Sequence, residues 1–148
     1  MLKSSANDSR PRIAVAGATG RVGSALIASL VSEHLDLVAL TRNPDAQRVP
    51  SDVSLAVVDF DVPSSLEDAL RGADRLFLAH GTAPRQVDNE IALIDAAVAA
   101  GVGHIVKLSA MGPPSRLHPM DWHMQIEAYL RLSTSANRPS PSLHVKRE

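Results

Sequence analysis

The sequence contains no cysteine, which excludes disulfide bonds, thiolate metal sites and a cysteine nucleophile. It also lacks a charge imbalance, since 15 basic residues stand against 16 acidic ones for a formal net charge of −1. The whole-chain field therefore makes no electrostatic case for nucleic acid or for an anionic membrane. No apolar stretch approaches the roughly 20 residues of a membrane-spanning helix. The polar start from Met1 to Arg10 carries no apolar segment of the kind found in secretory leaders. These absences lead us to expect a cytoplasmic protein that binds no nucleic acid and no membrane, and leave its partners to be argued from its sites.

What is present is apolar material, 45% of 148 residues, enough to bury the core of one domain. Its organising stretch is Gly17-Ala18-Thr19-Gly20-Arg21-Val22-Gly23. The apolar run Arg12 to Ala16 before it reads as a buried parallel strand, and Ser24 to Val31 after it has helical character. Strand, glycine turn and helix together make a phosphate cradle: the glycines let the backbone turn tightly and approach a diphosphate. The unpaired N–H groups of a helix's first turn favour an anion there. The spacing is G-x-x-G-x-x-G, a variant of the dinucleotide fingerprint that draws its meaning from this context.

Taken in order, residues 1–11 read as a flexible lead-in. After the first strand and helix, Asp36 to Leu40 reads as a second strand ending at the turn Thr41-Arg42-Asn43-Pro44. An acidic residue at that strand end selects the ribose 2′-hydroxyl of NAD, whereas an arginine accommodates the 2′-phosphate of NADP. Arg42 therefore favours NADP(H), with an ordinary solvated arginine as the other reading. Val53 to Val58 reads as a third strand running into Asp59 and Phe60, which border the adenine if a dinucleotide binds; Asp61 reads as the start and cap of a helix over Ser65 to Arg71. Asp74 to Ala79 is a fourth strand, followed by the loop at His80. Val87, Ile91, Ile94 and Val98 set the apolar face of a helix over Gln86 to Ala100, with Asp88, Asn89, Glu90 and Asp95 largely on its other face. Ile105 to Leu108 forms a fifth strand ending at Ser109. The order β-α-β-α-β-α-β-α-β with right-handed crossovers predicts a doubly wound α/β parallel sheet of Rossmann type, strand order 3-2-1-4-5. Its crevice lies above Gly17 to Gly23 and beside His80.

Five segments together (GATGRVG, TRNP, VVDFD, AAVAAGVGHIVKLSAMG and WHMQIEAYLRLS) resemble the NmrA-like branch of the atypical short-chain dehydrogenase/reductases. This branch includes NADPH-dependent quinone and dye reductases as well as non-catalytic NADP-binding regulators. The resemblance covers about Arg12 to Ser133. It implies NADP(H) held by Gly17, Thr19, Gly20, Arg21, Val22, Gly23 and Arg42, with further contacts from Asp59, Phe60, His80 and Ser109. Where the wider superfamily carries Tyr-x-x-x-Lys, this chain has His123-Met124-Gln125-Ile126-Glu127. The i, i+4 spacing keeps His123 and Glu127 on one helical face. His123 and Ser109 are the catalytic candidates, as proton donor and as hydrogen-bond donor to a carbonyl, while Glu127 cannot repeat the electrostatic role of lysine. A helix-surface histidine beside Trp122 is the alternative reading of His123. His118, Asp121 and His123 lack metal-ligand spacing, and no metal site is expected.

A domain over 12–133 and a disordered tail over 134–148 follow from the polar, proline-broken composition beyond Leu132. We read the sheet as incomplete at its C-terminal side, truncated there as by a frameshift, with the fifth strand exposed as an edge for self-association. That reading implies weakened NADPH binding and little turnover. Three functions follow: an NADPH-dependent oxidoreductase acting on a quinone-like or other electrophilic molecule, a non-catalytic NADP(H) sensor, or an inactive fragment.

Overall fold

Strands that read as continuous apolar runs need helices over both of their faces. The computed structural model, which describes residues 10–43, 45, 48–79, 83–109, 120–135 and 142–147, meets that need for the central strands. The elements are β1 Arg12–Ala16, α1 Arg21–Leu30, β2 Asp36–Thr41, β3 Ser54–Val57, α2 Pro63–Leu70, β4 Arg75–Leu78, α3 Gln86–Ala99, β5 His104–Ser109, α4 Met120–Ser135 and β6 Ser142–Arg147. The sheet order is β3-β2-β1-β4-β5-β6, and every pairing is parallel. The expected order 3-2-1-4-5 is present within it.

Period-two alternation divides the core between the two faces. Ala14, Ala16, Val38, Leu40, Leu76, Leu78 and Ile105 meet Leu66 and Leu70 of α2, Leu93 and Ile94 of α3, and Ile126 and Leu130 of α4. On the other face Val15, Leu37 and Ala39 meet Ile27 of α1 and Val53. Tyr129 Oη donates to Asp95 Oδ1 at 2.6 Å and ties α4 to α3. Among the described residues no helix is long and apolar enough to cross a membrane.

Four expectations are corrected. First, the β2–β3 connection holds no helix among its described residues. Thr41 and Asn43 instead close a side-chain turn, Asn43 N–H donating to Thr41 Oγ1 at 3.0 Å and Thr41 Oγ1 to Asn43 O at 3.1 Å. Without a helix from that connection among the described residues, Leu55 and Val57 of β3 stay exposed. Second, α2 begins with Val62 as N-cap and Pro63 in its first turn. Asp61 does not cap it; its carboxylate takes a hydrogen bond from Arg85 at 2.8 Å, which holds the carboxyl below its ordinary pKa. Third, α3 turns Gln86, Asn89 and Glu90 inward with Leu93, Ile94 and Ala97, while Val98 is exposed. Asn89 and Glu90 therefore do not lie on a solvated face.

The fourth correction concerns the C-terminal segment. Thr134 and Ser135 complete α4, and Ser142–Arg147 forms β6 beside β5, in register from His104↔Ser142 to Ser109↔Arg147. The physical reason is the row of N–H and C=O groups along β5, which an extended segment returning from α4 satisfies. Leu143 and Val145 alternate with polar residues as a strand requires, a pattern obscured by Pro139 and Pro141 just before it. β5 is thus an interior strand and not an edge.

Leu70 of α2 is fully buried, so Leu70→Ala is expected to lower stability by about 2–5 kcal/mol through lost transfer energy and an unfilled cavity. Urea unfolding followed by circular dichroism measures this. A loss below about 1 kcal/mol, the range of ordinary surface changes, would mean that α2 is not packed as described.

Candidate functional site

The site begins where β1 ends. Gly17 has φ +75°, a left-handed conformation that costs a side-chain-bearing residue about 1 kcal/mol or more. Its carbonyl accepts the N–H of Gly20 at 3.0 Å. Gly20 is the N-cap of α1, with extended backbone, no side-chain cap and no acidic residue in the first turn. Neither the cap nor the first turn therefore sets a carboxylate of its own against the first-turn N–H groups. Gly23 is buried, and a Cβ there would overlap Gly17 O and stand 2.8 Å from the Gly17 carbonyl carbon. Only a glycine lets the helix start this close to the strand.

Above this turn lies a cleft of about 250 Å³, lined by Ala16, Gly17, Thr19 and Gly20, by Leu40, Thr41 and Arg42 at the end of β2, by Val58 and Phe60 after β3, and by Ala79, Ala83 and Leu93. It opens at the carboxyl ends of the strands, where parallel sheets bind ligands. Gly17, Thr19, Gly20, Arg42 and Phe60 are brought together there. Arg21, Val22 and Gly23 form the first turn of α1 behind them. Asp59 is exposed and outside the lining. Its N–H donates to Ser65 Oγ and its Oδ1 accepts the N–H of Asp61, both at 2.9 Å, so its carboxylate serves a local turn. His80 and His118 lie outside the described residues. Leu40, Val58, Ala79, Ala83 and Leu93 were not singled out from the sequence, although strand ends at a doubly wound sheet are the signal that marks most of them.

A second group of side chains occupies the β5 side. Lys107 is fully buried, and its ammonium donates to Glu90 Oε2 at 2.7 Å and to Leu108 O at 3.0 Å. A third contact, 3.2 Å, is to Nδ1 of His123 on α4. Gln86 Nε2 donates to Glu90 Oε1 at 3.0 Å. Ser109 Oγ donates to Glu127 Oε1, and Arg131 approaches the other oxygen of Glu127 at 3.8 Å. Ser109 and Glu127 are both buried, and His123 is half-buried. Burial is the first cause holding the His123 pKa below its ordinary 6.5, and the Lys107 charge adds to it against the opposing pull of Glu90 and Glu127.

This arrangement brings Ser109 and His123 to the β5–α4 side of the sheet, connected through elements that the sequence did not link. Glu127 cannot act as a lysine, yet a lysine cation does stand beside His123, supplied by β5 instead of α4. Lys107, Glu90 and Gln86 were missed. Lys107 shares a strand face with Ile105 and Ser109, all buried, and a polar residue at such a position was the available signal. Among the described residues no group of three or more His, Asp or Glu is placed to hold a metal ion.

Known proteins share both the sequence pattern and the fold. A family profile described as NAD(P)H-binding matches residues 17–138. An NAD(P)H azoreductase of Xenophilus azovorans is 36% identical over 102 residues, which is 68% of this chain and 36% of the azoreductase. The crystal structure of an NADPH-dependent quinone oxidoreductase from Escherichia coli is 32% identical, with a TM-score of 0.67 over 80% of this chain and 42% of that one. The triphenylmethane reductase of a Citrobacter species shares the fold, with 23% identity and a TM-score of 0.77 over 93% of this chain and 48% of that one. The chain thus spans between about a third and a half of the length of these relatives.

Removing one partner of the Lys107–Glu90 pair leaves a buried charge without compensation. Lys107→Met is expected to cost about 3–5 kcal/mol, and the double change with Glu90→Leu to recover most of it. Chemical denaturation of the three proteins checks this; equal losses in the single and double variants would contradict a buried pair.

Proposed function

Because the chain belongs to the NAD(P)H-binding family, we propose that it binds NADP(H) in the glycine-loop cleft and takes part in reducing an electrophilic small molecule such as a quinone. The observation that carries the cofactor preference is Arg42 in the cleft lining at the end of β2, with no acidic residue among the described lining. A guanidinium there meets a 2′-phosphate as a charge-assisted, bidentate donor, whereas an acid would select the free hydroxyl. The N-terminus of α1 offers its N–H groups to the diphosphate. Phe60 and Val58 supply apolar walls for the adenine end.

The reduced nicotinamide, when bound, supplies a hydride. The work left to the protein is positioning and electrostatics. Ser109 and His123 mark the carboxyl end of β5, on the other side of the crevice from Arg42, where the reacting end of an extended dinucleotide belongs. Reduction of a quinone needs hydride and one proton, and the proton comes from solvent at that end. The likeness to an azoreductase and to a quinone oxidoreductase supports a reductase of small molecules. A sensing module without chemistry is the second reading, favoured by His123 and Glu127 standing in place of Tyr-x-x-x-Lys.

Calorimetric titration decides the cofactor. Arg42→Ala is expected to weaken NADPH binding roughly 10- to 100-fold, the worth of a hydrogen bond to a charged group, while NADH binding stays within about twofold. Equal losses for both cofactors would remove Arg42 from the 2′-phosphate. Quinone-dependent oxidation of NADPH by the same preparation separates the enzyme from the sensor, which binds without turnover.

A further inference from the structure

The buried seam between α3, β5 and α4 constrains the chemistry of the histidine. An ammonium carries three N–H donors and no acceptor. Lys107 directs these at Glu90 Oε2, Leu108 O and His123 Nδ1. The ring nitrogen facing it must therefore accept, and a neutral imidazole that accepts at Nδ1 carries its proton at Nε2. Gln86 in turn occupies the other oxygen of Glu90, so the carboxylate is held from one side by α3 and from the other by β5. We propose that Lys107, anchored by Glu90, is a positioning residue that locks His123 as the neutral Nε2–H tautomer, presenting a hydrogen-bond donor to an oxygen or nitrogen acceptor of the substrate.

Among the described residues no hydrogen bond is made at Nε2, the ring nitrogen on the side away from Lys107. Among the described residues, the other charged groups acting on the ring are Glu127 on its own helix and Glu90 on α3, both of which favour the protonated ring, while burial and Lys107 oppose it. Protonation at Nδ1 would turn a new N–H toward the ammonium and break the 3.2 Å contact. The ring therefore acts by donating a hydrogen bond and keeps its Nε2 proton, since losing it would leave an imidazolate. The substrate class this implies is a carbonyl, quinone or azo compound whose acceptor atom gains negative charge as hydride arrives, the final proton coming from water. This role rests on the reductase reading above, but the tautomer does not.

The test uses the full chain labelled with 15N-histidine, with the His123→Gln variant identifying the His123 signals. Long-range 1H–15N correlation at neutral pH is expected to show a single tautomer, protonated at Nε2, and Lys107→Arg is expected to retain it. Lys107→Met/Glu90→Leu, which removes the pair without leaving a buried charge, is expected to give a mixture with the Nδ1–H form. An Nδ1–H tautomer in the wild type, or an unchanged tautomer in the double variant, would overturn the lock. In the quinone assay the double variant should lose about tenfold in kcat with unchanged NADPH affinity, somewhat less than a positioned proton-transfer group contributes. A changed tautomer with undiminished kcat would overturn the positioning role. Absence of turnover in the wild type with the single tautomer intact would remove the reductase reading and leave the lock established.

Discussion

The contact on which the molecule depends is the approach of α1 to the end of β1. Gly23 lies so close to Gly17 O that a Cβ would overlap it, and Gly17 itself is left-handed. These two facts fix where the helix starts, and therefore where its unpaired N–H groups point. Any side chain at Gly23 would push the helix outward or break the Gly20 N–H to Gly17 O bond. Steric exclusion at one buried backbone position thus fixes the direction of the N–H groups of the helix's first turn. β1 is also flanked on both sides, by β2 and β4, so a shift there would reach both walls of the cleft.

The β5 side is built on the opposite principle. Its buried groups are polar, and a polar group without a partner in a dry core costs about 1–3 kcal/mol. Lys107 and Glu90 are tolerable because each meets the other and a further neighbour. Among the described residues Gln86 Oε1 and Asn89 Oδ1 are buried without a hydrogen-bond partner, at the α3 end of the seam. Such a seam stabilises less than an apolar core of the same volume would. What it adds is a fixed mutual orientation of α3, β5 and α4, which apolar contacts alone specify less tightly.

How much of this was legible in the sequence follows from the range of the interactions. The glycine turn, the first five strands and the position of Arg42 were readable because each rests on local rules: apolar runs, glycine spacing and punctuation by Asn and Pro. Glu90 was misplaced because a helix's buried face is normally apolar, and here it carries Gln86, Asn89 and Glu90 ahead of Leu93 and Ile94. β6 was misread because Pro139 and Pro141 dominate the local composition, whereas its pairing with β5 is long-range. The role of Lys107 was invisible for the same reason: its partners Glu90 and His123 stand 17 and 16 residues away. A strand-end acid such as Asp59 reads alike whether it meets a ligand or closes its own turn, and only the placed side chain reveals the turn.

The replacement of Tyr-x-x-x-Lys also takes on a different meaning once the elements are placed. On a single helix, i and i+4 side chains share one face, so the pair acts as a local unit. Here the two i, i+4 positions hold His123 and Glu127, and a lysine from β5 meets His123 in a half-buried contact. Glu127 is occupied by Ser109, which keeps that carboxylate on the serine and away from the imidazole contact with Lys107. One acid therefore orients the serine and another, Glu90, anchors the lysine that faces the histidine. Arg131 approaches the other oxygen of Glu127 at 3.8 Å, so a cation faces each of the two carboxylates. At the carboxyl end of β5, Ser109 thus contacts Glu127 and His123 contacts Lys107, two different carboxylate–cation pairs.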